Sequence, residues 1–316
     1  MTPRPRAARS LLVAALAVAG TTTACGSQVQ APAPSLKDRV SVSGSFGERP
    51  VIRIKAPLTL KQTSSWVTRT GSGDDVVGAA STAILQLTIA DGRTGKMAIS
   101  TKDAGQRPLE VKMGDQVFPS LAQSLTGKPT GSRVVVASTA KDAYGSQGSP
   151  QIGIKPGDPV VIVADVLSTD PSTVLKAPTG TTRALPPGLP RIVESAGGPA
   201  RLDFGTRRKP SRYRAFVLGE GTGKAVTDPD RVAVKYVGQV WGAAKPFEET
   251  YTGQPALVSI GLGSVIKAWD RALVGLKEGS RVMIVCPPAL AYGATAQGQI
   301  PARSTLVFVV DVLGVG

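Results

Sequence analysis

The apolar positions of this chain change period several times, and each period predicts a different element. Arg231–Val240, RVAVKYVGQV, alternates in the way of a half-buried strand. Pro255–Gly261 reads as a second strand. Ser264 is placed as an N-cap, with Val265, Ile266, Trp269, Ala272 and Leu273 at helical spacing behind it and Gly275 as the stop. Ser280–Cys286 and Thr305–Leu313 read as two more strands, joined by a loop rich in Gly, Ala and Pro over Pro287–Ala302. Several short strands and one short helix predict an α+β domain, an antiparallel sheet wrapped around that helix.

The same pattern occurs twice. Gly131-Ser132-Arg133-Val134 recurs 148 residues later as Gly279-Ser280-Arg281-Val282, Ala143-Tyr144-Gly145 as Ala291-Tyr292-Gly293, and Gln151-Ile152 as Gln299-Ile300. Upstream, Pro108–Gly114 matches Pro255–Gly261 at an offset of 147. A near-constant offset of this size is a duplicated domain, since short-period solenoids repeat every few tens of residues. Thr169–Pro190 carries five prolines and no apolar period, the composition of a semi-extended linker. The expected layout is a leader over 1–24, a tether over 25–44, a first domain over 45–170, a Pro-rich linker over 171–190 and a second domain over 191–316.

The leader follows from the first residues. Arg4, Arg6 and Arg9 precede Leu11–Gly20, an unbroken small-apolar run too short to span a bilayer. It ends at Thr22-Thr23-Ala24-Cys25-Gly26-Ser27, which resembles the lipobox of bacterial lipoproteins, so Cys25 is the expected lipidation site. The lipid would hold the chain to the outer face of the cytoplasmic membrane without spanning it. Cys286, the other cysteine, lies in an apolar strand-like run and reads as a small buried hydrophobe.

Composition narrows the chemistry. The 316 residues include no His, which excludes Ser-His-Asp and Cys-His nucleophile systems, His-ligated zinc and imidazole bases. Two Cys cannot build a four-thiolate metal site, and neither a metal nor a cofactor is expected. The net charge of +15 is scattered without interleaved stacking aromatics, so a basic surface is expected and no nucleic-acid partner. Gly219–Lys224 is a turn, because Leu218 and Ala225 stand where a phosphate loop needs Gly and Ser or Thr. Ser138-Thr139-Ala140-Lys141 and Ser264-Val265-Ile266-Lys267 have the Ser-x-x-Lys spacing but no accompanying Ser-Asp-Asn or Lys-Thr-Gly.

In the second repeat, Val234-Lys235-Tyr236-Val237-Gly238, Phe247-Glu248-Glu249-Thr250, Val265-Ile266-Lys267-Ala268-Trp269, Leu290-Ala291-Tyr292-Gly293 and Ile300-Pro301 before Leu306-Val307-Phe308 stand in fixed order. This set is similar to the FKBP-type peptidyl-prolyl cis-trans isomerases over about Tyr213–Val315. The resemblance implies two tandem FKBP-like domains, with isomerisation of X–Pro bonds in exported polypeptides and help in their folding outside the cytoplasm. It also implies macrolide inhibitors as possible ligands. Tyr236, Phe247, Val265, Ile266, Trp269, Tyr292, Ile300 and Phe308 would line the proline pocket, with Trp269 as its floor. Tyr292 would donate to a substrate carbonyl, and Glu248 would orient a polar group or pair with Tyr236. Glu248 replaces the Asp usual in the family, and Ala256 and Val258 replace two common aromatics, so one pocket wall should be roomier. A non-catalytic chaperone or scaffold of the same fold is the alternative.

The repeat offset maps Trp269 onto Leu121, Ile266 onto Phe118, Tyr292 onto Tyr144 and Pro301 onto Gly153. Leu87 falls at Tyr236, and only Lys96-Met97-Ala98 follows the Asp91-Gly92-Arg93 turn. The first repeat is therefore expected to keep the fold and lose the pocket. Of the 14 aromatics, only Phe46, Trp66, Phe118 and Tyr144 precede the linker, which agrees with that expectation.

Overall fold

The computed structural model describes residues 29–114, 119–145 and 147–316; Cys25, the expected leader over 1–24 and Phe118 lie outside the described residues. The chain divides into two compact units after Thr169. The first contains a short helix α1 (Pro34–Lys37), a hairpin of β1 (Val40–Ser43) and β2 (Val51–Ile54), and then β3 (Ser64–Arg69), β4 (Thr82–Asp91), β5 (Met97–Ser100), β6 (Leu109–Lys112), α2 (Pro119–Leu125), β7 (Arg133–Ser138) and β8 (Val160–Thr169). The second contains a hairpin of β9 (Arg191–Ser195) and β10 (Gly198–Asp203), followed by β11 (Arg214–Gly219), β12 (Asp230–Val240), β13 (Glu248–Glu249), β14 (Ala256–Ile260), α3 (Lys267–Leu273), β15 (Arg281–Cys286) and β16 (Leu306–Val315).

Both units build one antiparallel six-stranded sheet, in the orders β3-β7-β8-β4-β5 and β11-β15-β16-β12-β13. In each, the remaining strand shares an edge with the fifth: β6 pairs with β4 and β14 with β12. Position by position the two orders are the same, so the duplication read from the sequence is a duplication of topology. The molecule is an α+β chain of two tandem domains of one topology, each an antiparallel sheet beside a short helix.

The central strands are buried on both faces, where alternation in the sequence had suggested one. In the second unit, Val232, Val234, Val282, Ile284, Leu306, Phe308, Val310 and Val312 pack with Trp269 and Leu273 of α3. The intervening Val237, Met283, Val285, Val307 and Val309 pack on the other face with Leu202 and Phe204 of the hairpin side. The first unit repeats this, with Val135, Val161 and Val163 meeting Val40 and Leu58, against which Val42, Ile52 and Ile54 pack. Burial on both faces accounts for the nearly continuous Val and Ile runs of β8 and β16.

Ion pairs bind hairpin to sheet at equivalent places, buried in the first unit and half-buried in the second. The Arg133 guanidinium donates to Asp165 through Nε at 2.5 Å and Nη2 at 2.7 Å, while its nitrogens also reach the Gly44 and Ser45 carbonyls. Arg281 donates to Asp311 at 2.6 and 2.8 Å and to Glu194 of β9 at 3.2 Å. Two-pronged geometry with the remaining donors occupied is what makes a buried charge pair tolerable. In the second unit Gln239, fully buried, adds hydrogen bonds to both the N–H and the carbonyl of Leu202.

These hairpins correct the expected layout. Residues 30–44 do not form a free tether: Gln30 bridges to Ser64 in parallel, and β1 joins the first unit. The Pro-rich stretch also lies against the second unit. The Leu175 and Arg183 amides donate to the carbonyls of Leu313 and Leu218, Thr179 donates to Gly279, and Leu189 is buried under the hairpin. Asp170 accepts from Arg231 at 2.8 Å. Proline removes donors but leaves every carbonyl and the other amides free to pair, so composition alone did not exclude docking.

Candidate functional site

The helix-side face of the second sheet carries the aromatic set. β12 turns Tyr236 toward α3, and the following Gly238 leaves the sheet surface bare. The Phe247 amide donates to the Gly238 carbonyl at 2.9 Å, which lays the Phe247 ring across that bare position. A methyl group built on Gly238 would stand 2.6 Å from Phe247 Cζ and 2.8 Å from Phe308 Cε1. Glycine here is therefore required by the rings that occupy its side-chain space.

Four rings then interlock. Tyr236 and Trp269 meet edge to face at 4.9 Å and 89°, and Trp269 meets Phe308 at 5.4 Å and 89°. Phe247 meets Phe308 at 5.8 Å and 81°. Edge-to-face pairs of this kind contribute about 0.5–1.5 kcal/mol each beyond their buried area. Trp269 and Phe308 are each only 4% exposed, and Ile300 is 5% exposed. Val265, Ile266 and Phe247 are half-buried against the same cluster, with Ala256 and Val258 of β14 on one wall.

The helix start differs from the expected one. Ser264 is not the cap; α3 begins at Lys267 with Ile266 at the N-cap position in extended conformation and without a side-chain cap. Val265 and Ile266 precede the helix and pack on the aromatic cluster, so apolar packing takes precedence over capping at this end. Gly275 does act as the stop, at φ +89°.

Polar groups sit at the rim. Tyr292 lies in the loop after a 3-10 turn at Pro288–Leu290 and is 38% exposed. The loop is held by the Gly293 amide donating to Pro288 at 2.8 Å and the Arg303 amide donating to Gly293 at 2.9 Å. Burial pushes the Tyr236 hydroxyl well above the ordinary tyrosine pKa, and its hydrogen bond with the Glu248 carboxylate adds to the rise. Burial, and then proximity to Glu248, raises Tyr292 as well. Both phenols are thus neutral donors across ordinary pH. Cys286, fully buried, has its thiol pushed up to about 12 by burial, as suits a core residue. Among the described residues no cluster of His, Cys, Asp or Glu could hold a metal ion.

Seven of the nine predicted residues, Tyr236, Phe247, Val265, Ile266, Trp269, Ile300 and Phe308, belong to one apolar cluster, and Glu248 and Tyr292 interact electrostatically with Tyr236 beside it. Sequence reasoning missed Gly238 as a packing determinant and Tyr213 as a member of the cluster. A glycine inside a β-branched strand was the available signal for the first.

The first unit fills the equivalent space. Leu87 pairs with Ala164 as Tyr236 pairs with Val310, and Ile89 pairs with Ile162 and Ile99 as Gly238 pairs with Phe308 and Glu248. Ile89, Ile162, Ala98 and Leu121 thus replace Gly238, Phe308, Phe247 and Trp269. Tyr144, equivalent to Tyr292, is 2% exposed and packs within the core. One alignment from the repeat needs correcting. The Ser149–Ile154 bridge corresponds to Gln297–Ile300, so Ile154 and not Ile152 matches Ile300, and Lys155 and not Gly153 precedes the strand as Pro301 does. The first unit's loop is two residues longer, which shifts the offset downstream to 146.

These features coincide with the comparisons to known proteins. Residues 222–313 match the family model of FKBP-type peptidyl-prolyl cis-trans isomerases. The second unit carries a domain of this type. Over 93 residues the chain is 42% identical to FK506-binding protein 4 of Chaetomium thermophilum, covering 29% of this chain and 19% of that protein. Over 100 residues it is 41% identical to the FKBP-type isomerase FkpA of Escherichia coli K12, covering 31% of this chain and 36% of FkpA. Among solved structures, Escherichia coli FkpA aligns at 33% identity and TM-score 0.31, over 39% of this chain and 51% of that one. The three FKBP domains of wheat FKBP73 align at 20% identity and TM-score 0.34, over 80% of this chain and 94% of that one. The chain thus spans about a third or less of the length of these two curated relatives.

Proposed function

We propose that the second unit isomerises X–Pro bonds in exported polypeptides and that the chain works outside the cytoplasm, held at the membrane by a lipid on Cys25. The observation that carries the catalytic reading is the ring cluster of Tyr236, Phe247, Trp269 and Phe308 beneath the exposed phenol of Tyr292. The reaction breaks no bond and moves no proton. Its barrier is the loss of amide conjugation, about 18–20 kcal/mol, and appreciable cis populations belong to X–Pro bonds.

An apolar pocket disfavours the polarised planar amide relative to the twisted form, whose carbonyl carries less charge. Each tenfold in rate needs only about 1.4 kcal/mol. Tyr292 is placed to donate to a substrate carbonyl, while Glu248 holds Tyr236 in orientation. Trp269, at the floor, takes the pyrrolidine ring against its face. Macrolide ligands of the kind named for the FK506-binding relatives would occupy the same space. Export and anchoring rest on the leader and the cysteine at its end. The test is catalysed isomerisation of a prolyl peptide by the full chain. Turnover is expected in the wild type and about a tenfold loss in Trp269→Leu; no turnover in the wild type would favour a scaffold. Cys25→Ala is expected to move the protein from the detergent phase to the aqueous phase.

For the first unit we propose a non-catalytic role, as spacer or client-holding module. Ile89, Leu121 and Tyr144 occupy the volume a proline would need.

A further inference from the structure

The segment leading into β11 concentrates charge beside the pocket. Thr206–Arg214, TRRKPSRYR, holds Arg207, Arg208, Lys209, Arg212 and Arg214 and no carboxylate. The corresponding Ala56–Ser64 segment of the first unit, APLTLKQTS, holds Lys61 alone. The correspondence is fixed by register, since Ser64 pairs with Ala137 as Arg214 pairs with Val285. Arg208, Lys209, Arg212 and Arg214 are exposed, and Arg207 donates to the Phe204 carbonyl at 3.2 Å. No ion pair among the described residues engages any of the five.

Topology puts this segment at the pocket mouth. β15 ends at Cys286, one residue beyond the partner of Arg214, and the chain passes from there into the loop bearing Tyr292. Tyr213 is half-buried against the cluster that contains Trp269 and Phe308. The Arg271 guanidinium lies 4.7 Å over its ring and comes from α3, the helix that supplies Trp269. The opposite edge of the sheet, at β13, carries Glu248 and Glu249. The mouth is therefore basic on its β11 side and acidic on its β13 side.

Resting on the isomerase reading above, we infer that this basic rim selects prolyl segments flanked by Asp or Glu. An acidic flank of the client meets Arg208, Lys209, Arg212 and Arg271 while proline enters the ring cluster. Such a field raises the local concentration and encounter rate of oppositely charged segments. A basic flank is repelled from the same side. An anionic membrane is the rival occupant, but it would not account for the segment's docking through Tyr213 onto the pocket's own cluster.

The experiment measures kcat/KM of the full chain on three prolyl peptides that differ only in flanking Glu, Gln or Lys. The wild type is expected to rank them Glu, Gln, Lys, with about a tenfold span at low salt. The span should collapse at 1 M salt, where the screening length falls to about 3 Å. The triple variant Arg208→Glu, Lys209→Glu, Arg212→Glu is expected to reverse the order while keeping turnover of the Gln peptide. An unchanged order in the variant, or no order in a wild type that turns over the Gln peptide, overturns the inference. If no peptide is turned over, the isomerase reading fails, and peptide binding followed by tryptophan fluorescence tests the same ranking. Binding to phosphatidylglycerol vesicles that the triple variant loses, with no ranking among peptides, would assign the rim to a membrane instead.

Discussion

The two units share one strand order, one hairpin and one two-pronged Arg–Asp pair, and they differ in what lies between sheet and helix. In the first, Leu87, Ile89, Leu121, Ile162 and Tyr144 make a closed apolar core. In the second, glycine at position 238 and aromatics at 236, 247, 269 and 308 leave a ring-lined site with a phenol at its edge. Exchanging aliphatic residues for aromatics does not by itself open a pocket. A flat ring needs a bare backbone to lie against, and Gly238 provides it where Ile89 closes it. The same fold thus serves as scaffold in one copy and as a candidate site in the other, consistent with function residing in the site and not in the fold.

Four substitutions or perturbations would break or sharpen this contrast. Gly238→Ile, which imports the first unit's residue, is expected to lower prolyl isomerisation by about 100-fold, since misplacement of about 1 Å can have that effect. Retained activity in the folded variant would show that the rings are not the site. Second, Asp165→Ala leaves the buried Arg133 guanidinium without its carboxylate and should destabilise the first unit by about 3–5 kcal/mol, whereas Asp311→Ala should destabilise the second unit less, because Arg281 is half-buried and keeps Glu194 at 3.2 Å. Denaturant unfolding with a probe in each unit checks it. A loss in each unit, larger in the first, would confirm that the hairpin anchor is shared.

Third, alkaline pH should separate the units. Cys286 has its pKa raised from 9.0 to about 12, so the folded second unit holds this proton more tightly than the unfolded chain does. That stability is fully present below about pH 9 and is lost as pH rises toward 12. Tyr213, Tyr236, Tyr251 and Tyr292 are raised by burial in the same unit, against Tyr144 alone in the first. Unfolding followed from pH 8 to 11 should weaken the second unit first. Fourth, Tyr292→Phe should lower kcat/KM by about fivefold, the worth of one hydrogen bond of about 1 kcal/mol, without altering stability. Tyr144→Phe should leave turnover unchanged. Equal effects of the two would erase the distinction drawn between an exposed and a buried phenol.

Much of this was legible in the chain. The 148-residue offset marks the duplication, alternation places β12, and the ordered motifs group Tyr236, Phe247, Trp269 and Phe308. What was not legible was mostly the outer face of each sheet. The β9–β10 hairpin carries its signal in the Ala196-Gly197 turn between short alternating runs, but half-exposed strands with Arg201 and Glu194 look like loop. The stretch over 171–190 was misread because proline content reports on lost donors and not on docked carbonyls. Ser264 was misread as a cap because hydrogen-bonding capacity is local, whereas Val265 and Ile266 obey a packing demand set by distant strands. The alignment at Ile300 slipped because a two-residue difference in loop length is invisible to a constant offset.

The contrast between the units is tested most directly by titrating the isotopically labelled full chain with a prolyl peptide and following backbone amide resonances. The account predicts shifts confined to the surroundings of Tyr236, Phe247, Trp269, Tyr292 and Phe308, with none around Leu87, Leu121 or Tyr144. Equal shifts in the first unit, or shifts in that unit alone, would contradict it.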